Sequence, residues 1–259
     1  MDDMQFSIVI PTLNEENYVG RLLDDLGAQD FKDFEVIHVD GKSKDKTCDV
    51  VSTYQDKLVI TTVVSPRRNV SHQKNLGADR AKGKYLIFID ADTRILDPLF
   101  LSKLASATHR SKHMMYMPIV GIEEEDPGLK LTFAIYNKAI EASKYLSTPI
   151  PSIGLAVFER NFFHHLGGYI PSPRHEIHKL FPEDYEIVMR AKKMGVAGCV
   201  AHHARFVYSL RRFKQEGYMK VVPKYILSVV EQLLGREFIE HNYEMGGHLY
   251  DEPNGVDTR

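Results

Sequence analysis

Short apolar runs alternate with amphipathic stretches along the first third of the chain. Phe6–Ile10 (FSIVI), Phe34–Val39 (FEVIHV), Leu58–Val64 and Tyr85–Ile89 (YLIFI) are rich in β-branched and aromatic residues and predict strands. The first is apolar along its length, the pattern of a strand buried on both faces of a parallel sheet, and Pro11 is expected to stop it. Val19, Leu22, Leu23 and Leu26 recur at helical spacing, with Asn14 placed to cap that helix and Glu15 and Glu16 to occupy its first turn. Further helices are expected over about Asp45–Tyr54 and over Val70–Lys82, the latter ended by Gly83. Strands alternating with helices in this way predict βαβ units and a parallel sheet, an α/β fold.

Beyond Arg94 the alternation loosens. Asp97–His109 predicts a helix with Pro98 in its first turn, Met114–Val120 a strand, and Pro127–Leu146 a helix with Leu129, Phe133, Tyr136 and Ile140 on one face. Ile153–Phe158 predicts a strand and Asn161–Leu166 a short helix closed by Gly167 and Gly168. Tyr169–Phe181 is expected to be a loop in which Arg174, His175, His178 and Lys179 gate the acceptor side. Glu183–Met194 predicts a helix stopped by Gly195, Cys199–Val207 a strand, and Phe213–Phe238 a helical stretch broken or kinked at Pro223. The organisation expected is a main domain over 1–210, with a nucleotide-binding half (1–95) and an acceptor-binding half (96–210), and a helical extension over 211–259.

Composition narrows this picture. The 259 residues suit one large domain or two small ones, and 43% hydrophobic and 26% charged residues are ordinary for a water-soluble fold. A net charge of −2 carries no basic footprint for nucleic acid. Cys48 and Cys199 are too few for a disulfide framework and have no metal-ligand spacing, so reduced thiols in the cytoplasm are expected. The acidic N-terminus is no signal peptide, and no apolar run is long enough to span a bilayer.

The candidate chemistry lies at the strand ends. Tyr85–Ile89 runs into Asp90-Ala91-Asp92, whose carboxylates can face one site because alternate residues of an extended segment point the same way. Mg2+ typically takes one or two carboxylates plus substrate phosphates, which fits such a pair. Pro11–Glu15 and Asp40-Gly41 end two other strands, and open α/β sheets bind ligands at these carboxyl ends. No G-x-G-x-x-G follows the first strand, so the usual dinucleotide site is not expected.

In order along the chain, SIVIPTLNEENYVGRLLDDL, Asp40-Gly41-x-Ser43-x-Asp45-x-Thr47, Asn75-x-Gly77 before KGKYLIFIDAD, Gly167-Gly168-Tyr169 and Pro182-Glu183-Asp184-Tyr185-Glu186 resemble the motifs of family 2 glycosyltransferases of the GT-A fold, over about residues 6–210. The resemblance implies a Rossmann-like, mostly parallel sheet flanked by helices, with a smaller acceptor-side part. It also implies metal-dependent, inverting transfer of a sugar from a UDP- or GDP-sugar to an acceptor. Many members carry two acidic residues before the Gly of the second motif where this chain has Val39-Asp40, and its loop before Asn75 offers Arg67, Arg68 and His72 rather than glycines.

Residue by residue, the resemblance makes Asp92 the direct ligand of Mn2+ or Mg2+, with Asp90 on the ribose or a metal-bound water. His203, beside His202 on a strand that points the two opposite ways, is a candidate to complete the metal shell. Pro11, Leu13, Glu15, Lys74 and Ala91 fall at the nucleotide pocket, and Asp40 can accept from a base N–H. Arg67, Arg211 and Arg212 are candidates for the diphosphate, since Arg suits bidentate phosphate contact. Asp184 is the expected general base, with Glu183 as understudy. The acceptor is left open between a polyprenyl phosphate and a glycan, as is oligomeric state. The basic stretch Arg205–Lys224 followed by YILSVVEQLL could place the end of the chain on the inner face of a membrane, on the domain, or at a dimer contact.

Two rivals remain. A nucleotidyltransferase would carry a glycine-rich basic loop after the first strand, where this chain has PTLNEEN. A catalytically silent nucleotide-binding relative would have no chemical reason to keep Asp40, Asp90, Asp92 and Asp184 together.

Overall fold

The computed structural model describes residues 4–145, 149–170, 182–196 and 198–211. In chain order the elements are β1 (Phe6–Thr12), α1 (Val19–Gly27), β2 (Phe34–Asp40), α2 (Thr47–Ser52), β3 (Ile60–Val64), α3 (Val70–Ala78) and β4 (Tyr85–Ile89). There follow α4 (Phe100–Ser111), β5 (Met115–Gly121), α5 (Pro127–Ser143), β6 (Leu155–Glu159), α6 (Arg160–His165), α7 (Pro182–Lys193) and β7 (Cys199–Val207).

The strands form one seven-stranded sheet in the order β3-β2-β1-β4-β6-β5-β7. Among the described residues only β6 runs antiparallel to its neighbours; the pairs β1/β2, β1/β4, β2/β3 and β5/β7 are parallel. Side-chain alternation sends Phe6, Ile8 and Ile10 of β1 and Tyr85, Ile87 and Ile89 of β4 into a core beneath α1 and α4. Val9, Leu86 and Phe88 face the opposite core, beneath α3, α6 and α7. Both faces are therefore buried, as the apolar runs predict, whereas β3 lies at the sheet edge with Val64 exposed. Helix α1 has no side-chain cap. A cap typically supplies about 1 kcal/mol, whereas fully burying one Val or Leu supplies about 1.5–3 kcal/mol. Val19, Leu22, Leu23 and Leu26 therefore outweigh the missing cap.

Several expected boundaries move, each for a local reason. β1 continues through Pro11 to Thr12: its pairing with β4 ends at Val9–Phe88, so on that side Pro11 has no ladder bond to forfeit. Asn14 does not cap α1. It takes a left-handed φ of 56°, and its Oδ1 accepts from Lys44 N at 2.8 Å. α3 ends at Ala78 rather than Lys82, so Gly83 is not its stop. Gly83 is instead where two backbones meet: a Cβ there would lie 2.4 Å from Ser7 N and 2.5 Å from Phe6 C. Its amide donates to Ser7 Oγ at 2.7 Å, and Ser7 Oγ donates to buried Glu35 at 2.7 Å. Gly83→Ala is expected to cost about 1–3 kcal/mol, read as a lower urea midpoint at unchanged m-value; an unchanged midpoint would contradict this close approach.

The register of β7 against β5 slips between Pro118–Ala201 and Ile119–Arg205. His202 and His203 lie within this bulge and are both exposed. The expected gating loop over 171–181, the helix over Phe213–Phe238 and, beyond Arg211, the extension over 211–259 lie outside the described residues. Among the described residues no helix is long and apolar enough to cross a membrane.

Candidate active site

The carboxyl ends of β2, β1 and β4 lie side by side, and each carries polar groups. The loops after β1 and β2 interlock. Asn14 N donates to Ser43 Oγ, Glu15 N to Thr47 Oγ1 and Glu16 N to Asp45 Oδ2, at 2.8–3.1 Å, while Lys46 N returns a bond to Glu16. The Asp-Gly-x-Ser-x-Asp-x-Thr spacing thus supplies one side of a latch whose other side is Asn-Glu-Glu. Burial pushes the Asp45 carboxyl up, but the bonds from Thr47 and the Glu16 amide bring it below its ordinary value. Asp40, 3% exposed, accepts from Ser43 N at 3.0 Å. Pro11, Leu13 and Ala91 are buried beside these ends.

A second group of charges lies beneath β4's end. Lys74, on α3, is 4% exposed. Its Nζ is 3.1 Å from Asp184 Oδ1, 3.7 Å from Glu183 Oε1 and 4.7 Å from the Tyr169 ring centroid. Asn75 positions that ring: its Nδ2 donates to Tyr169 O at 2.7 Å and its Oδ1 accepts from Tyr169 N at 2.8 Å. Gly168 has φ +70°, and a Cβ there would lie 2.6 Å from Asn75 Oδ1, so only glycine allows the clamp. Lys74 loses hydration, which alone would lower its pKa, but Asp184, Glu183 and Asp90 hold it well above the ordinary lysine value. Glu183 is raised by burial, against Lys74. Asp90 is pushed up to about 7, chiefly by burial, with Lys74 opposing and Asp92, Asp184 and Glu183 adding to the rise.

The third group closes the site from β7's side. Arg211 donates from Nη1 and Nη2 to the two oxygens of Glu15 at 2.9 and 3.0 Å, and Nη2 lies 3.5 Å from Asp92 Oδ2. Its guanidinium stacks over Tyr18 at 4.6 Å. Glu15 is raised by burial in spite of Arg211. Arg94, after the Asp-Ala-Asp turn, donates to Asp25 at 2.6 and 2.8 Å and pairs backbone to backbone with Val207, so the turn is tied to α1 and to β7.

The structure therefore brings together Glu15, Asp90, Asp92, Glu183, Asp184, Lys74 and Arg211. Lys74 lies in the carboxylate cluster rather than at the Asp40 end. Arg67 is exposed in the loop after β3, and Arg212 lies outside the described residues. His203 is exposed on β7, and among the described residues no group of three or more His, Cys, Asp or Glu side chains forms a metal cage. Tyr18, Thr12, His38 and Tyr169 are part of the site and were not singled out individually from sequence. The Gly-Gly-Tyr motif was the available signal for the last.

Five acidic side chains meet two basic ones here, and burial raises Asp90 and Glu183, so an added cation would favour their ionised forms. That donor set fits a hard divalent cation sharing Asp90 and Asp92 with phosphate oxygens. The Asp90 shift also sets a pH dependence. Its folded-state pKa lies above the ordinary 3.8, so its stabilising contribution is complete below about 4 and lost as pH rises through about 7. Asp90→Asn is expected to raise the melting temperature of the metal-free protein at pH 8 more than at pH 5; an equal change at both would contradict the assignment.

The model of glycosyl transferase family 2 matches residues 7–167. The amylovoran biosynthesis glycosyltransferase AmsB of Erwinia amylovora is 42% identical over 96 residues, 36% of this chain and 32% of that protein. The poly(ribitol-phosphate) beta-N-acetylglucosaminyltransferase TarS of Staphylococcus aureus is 34% identical over 96 residues, 36% of this chain and 17% of that protein. The chain thus spans less than half the length of these relatives. A solved mannosyltransferase, PcManGT from Pyrobaculum calidifontis in complex with GDP-Man and Mn2+, superposes with a TM-score of 0.68 at 19% identity, covering 90% of this chain and 65% of that one. This likeness establishes the GT-A fold, in agreement with the sheet expected from sequence.

Proposed function

Because this chain belongs to glycosyl transferase family 2, we propose that it transfers a sugar from a UDP- or GDP-sugar to an acceptor, with inversion and with Mn2+ or Mg2+ as cofactor. The observation that carries this reading is the placement of Asp184 across buried Lys74 from Asp90, which Asp92 neighbours, at the carboxyl ends of the parallel strands. Asp90 and Asp92 would hold the cation. When bound, it offsets the charge of the departing nucleoside diphosphate without proton transfer. Asp40 accepts from an N–H of the base, and Arg211, held by Glu15, offers its guanidinium to the diphosphate. Asp184 takes the proton of the acceptor hydroxyl. Lys74 keeps a positive charge beside it and holds the carboxylate in place.

The acceptor is a polyprenyl phosphate or a glycan, the former calling for a peripheral membrane contact. The test is the anomeric configuration of the sugar released or transferred, followed by 1H NMR before mutarotation. Inversion relative to the donor is expected of direct displacement with Asp184 as base; retention contradicts it.

A further inference from the structure

His38 has no assigned role, yet it is 1% exposed and its two ring nitrogens both meet hydroxyls at the nucleotide end of the sheet. It precedes Asp40 by two residues on β2, so both point to one face. Across β1, Thr12 pairs with Asp40; across β3, Thr62 pairs with His38. His38 Nε2 lies 2.8 Å from Thr12 Oγ1, Nδ1 lies 3.3 Å from Thr62 Oγ1, and Thr12 Oγ1 lies 3.4 Å from Asp40 Oδ1.

A threonine hydroxyl has one hydrogen to give, and an ionised carboxylate only accepts. If Thr12 donates to Asp40, its oxygen must accept from His38, which therefore carries its proton on Nε2. The bare Nδ1 then accepts from Thr62. This is the one direction in which all three contacts are hydrogen bonds. Burial lowers the imidazole to about 4, against the pull of Asp40, so the ring is neutral and has a single tautomer to choose. The backbone of Thr12 is fixed as well, since its carbonyl accepts from Gly41 N at 2.8 Å and from Gln73 Nε2 at 3.0 Å. Ser43 N holds the other oxygen of Asp40 at 3.0 Å.

We propose that His38 is a positioning residue for donor recognition: acting through Thr12, it fixes the orientation of the Asp40 carboxylate that meets the base of the nucleotide. This rests on the reading of Asp40 given above. The Thr12–Asp40 link is the longest of the chain, so its geometry depends on the hydroxyl being turned by His38.

Two readouts test it. Long-range 1H–15N correlation spectra of the wild-type protein at neutral pH are expected to show His38 as the Nε2–H tautomer. Calorimetric titration with UDP and GDP in the presence of Mn2+ is expected to show His38→Phe weakening the preferred nucleotide about fivefold, the loss of about one net hydrogen bond. His38→Gln, which retains a donor, is expected to recover most of that affinity, and His38→Phe is expected to have no further effect on an Asp40→Asn background. An Nδ1–H tautomer overturns the proposal, because Thr12 would then donate to His38 and not to Asp40. An equal loss on the Asp40→Asn background also overturns it, in favour of a packing role. Wild-type affinity in Asp40→Asn alone removes the base contact and the proposal with it, leaving the transferase reading to the metal-side residues.

Discussion

Asp184→Asn is expected to lower kcat for a hydroxyl acceptor by about 10²–10⁴-fold, the range supplied by a positioned general base, with donor affinity nearly unchanged. The carboxylate is 8% exposed and its Oδ1 accepts from Lys74 Nζ at 3.1 Å, which leaves Oδ2 for the acceptor. Asparagine keeps the shape and an oxygen for Lys74 but cannot take a proton. Steady-state rates with the wild type's own donor and acceptor check this, with unfolding midpoints recorded alongside because the substitution also removes a negative charge from Lys74. A loss confined to KM would assign Asp184 to acceptor binding rather than proton transfer. A fully active variant would indicate an acceptor already ionised, such as a phosphate.

Lys74→Met is expected to produce the largest loss of stability. The substitution keeps much of the apolar stem but leaves Asp184, Glu183 and Asp90 without their buried cation. Removing one member of a buried ion pair typically costs about 3–5 kcal/mol. The sign of the pH dependence distinguishes charge from packing. Without Lys74, Asp90 and Glu183 have folded-state pKa values raised further above their unfolded ones, so the variant is least impaired where they are protonated and most impaired above about pH 7. Urea unfolding at pH 5 and pH 8 should show the difference from wild type shrinking at the lower pH. An equal deficit at both would mean that Lys74 contributes packing, including its contact with the Tyr169 ring, and not charge balance.

The strands of the nucleotide-binding half were legible because β1 and β4 are buried on both faces, which leaves runs such as FSIVI and YLIFI with no helical reading. The Asp-Ala-Asp turn was legible for the same reason: a buried strand that ends in two carboxylates needs a partner for them. Helix ends were less legible. Asn14 has the composition of a cap, but the loop over 41–47 offers its side chain the Lys44 amide, a partner 30 residues away. Gly83 has the composition of a helix stop, but its position is dictated by the backbone of β1. The bulge that exposes both His202 and His203 arises from the pairing of β7 with β5 and leaves no local pattern.

The heart of the site was hidden for a related reason. Lys74 and Asp184 are separated by 110 positions, and Asn75 and Tyr169 by 94. Helix α3 reads weakly as amphipathic because its inner face carries Gln73, Lys74 and Gly77, which serve the strand ends and the carboxylates rather than an apolar core. A motif reading could name Asn75 and Gly168-Tyr169 separately. Only the fold shows that one clamps the other and sets an aromatic ring against the lysine that neutralises the candidate base.

The most direct measurement is turnover of a panel of UDP- and GDP-sugars with Mn2+ or Mg2+, by wild type and by Asp92→Ala, with and without EDTA. The account predicts that one donor is consumed, that chelation stops the reaction, and that Asp92→Ala is inactive while remaining folded. Metal-independent turnover, or full activity in Asp92→Ala, would contradict the assignment of Asp90 and Asp92 to a cation. A folded wild-type protein that neither binds nor consumes any donor would contradict the transferase itself.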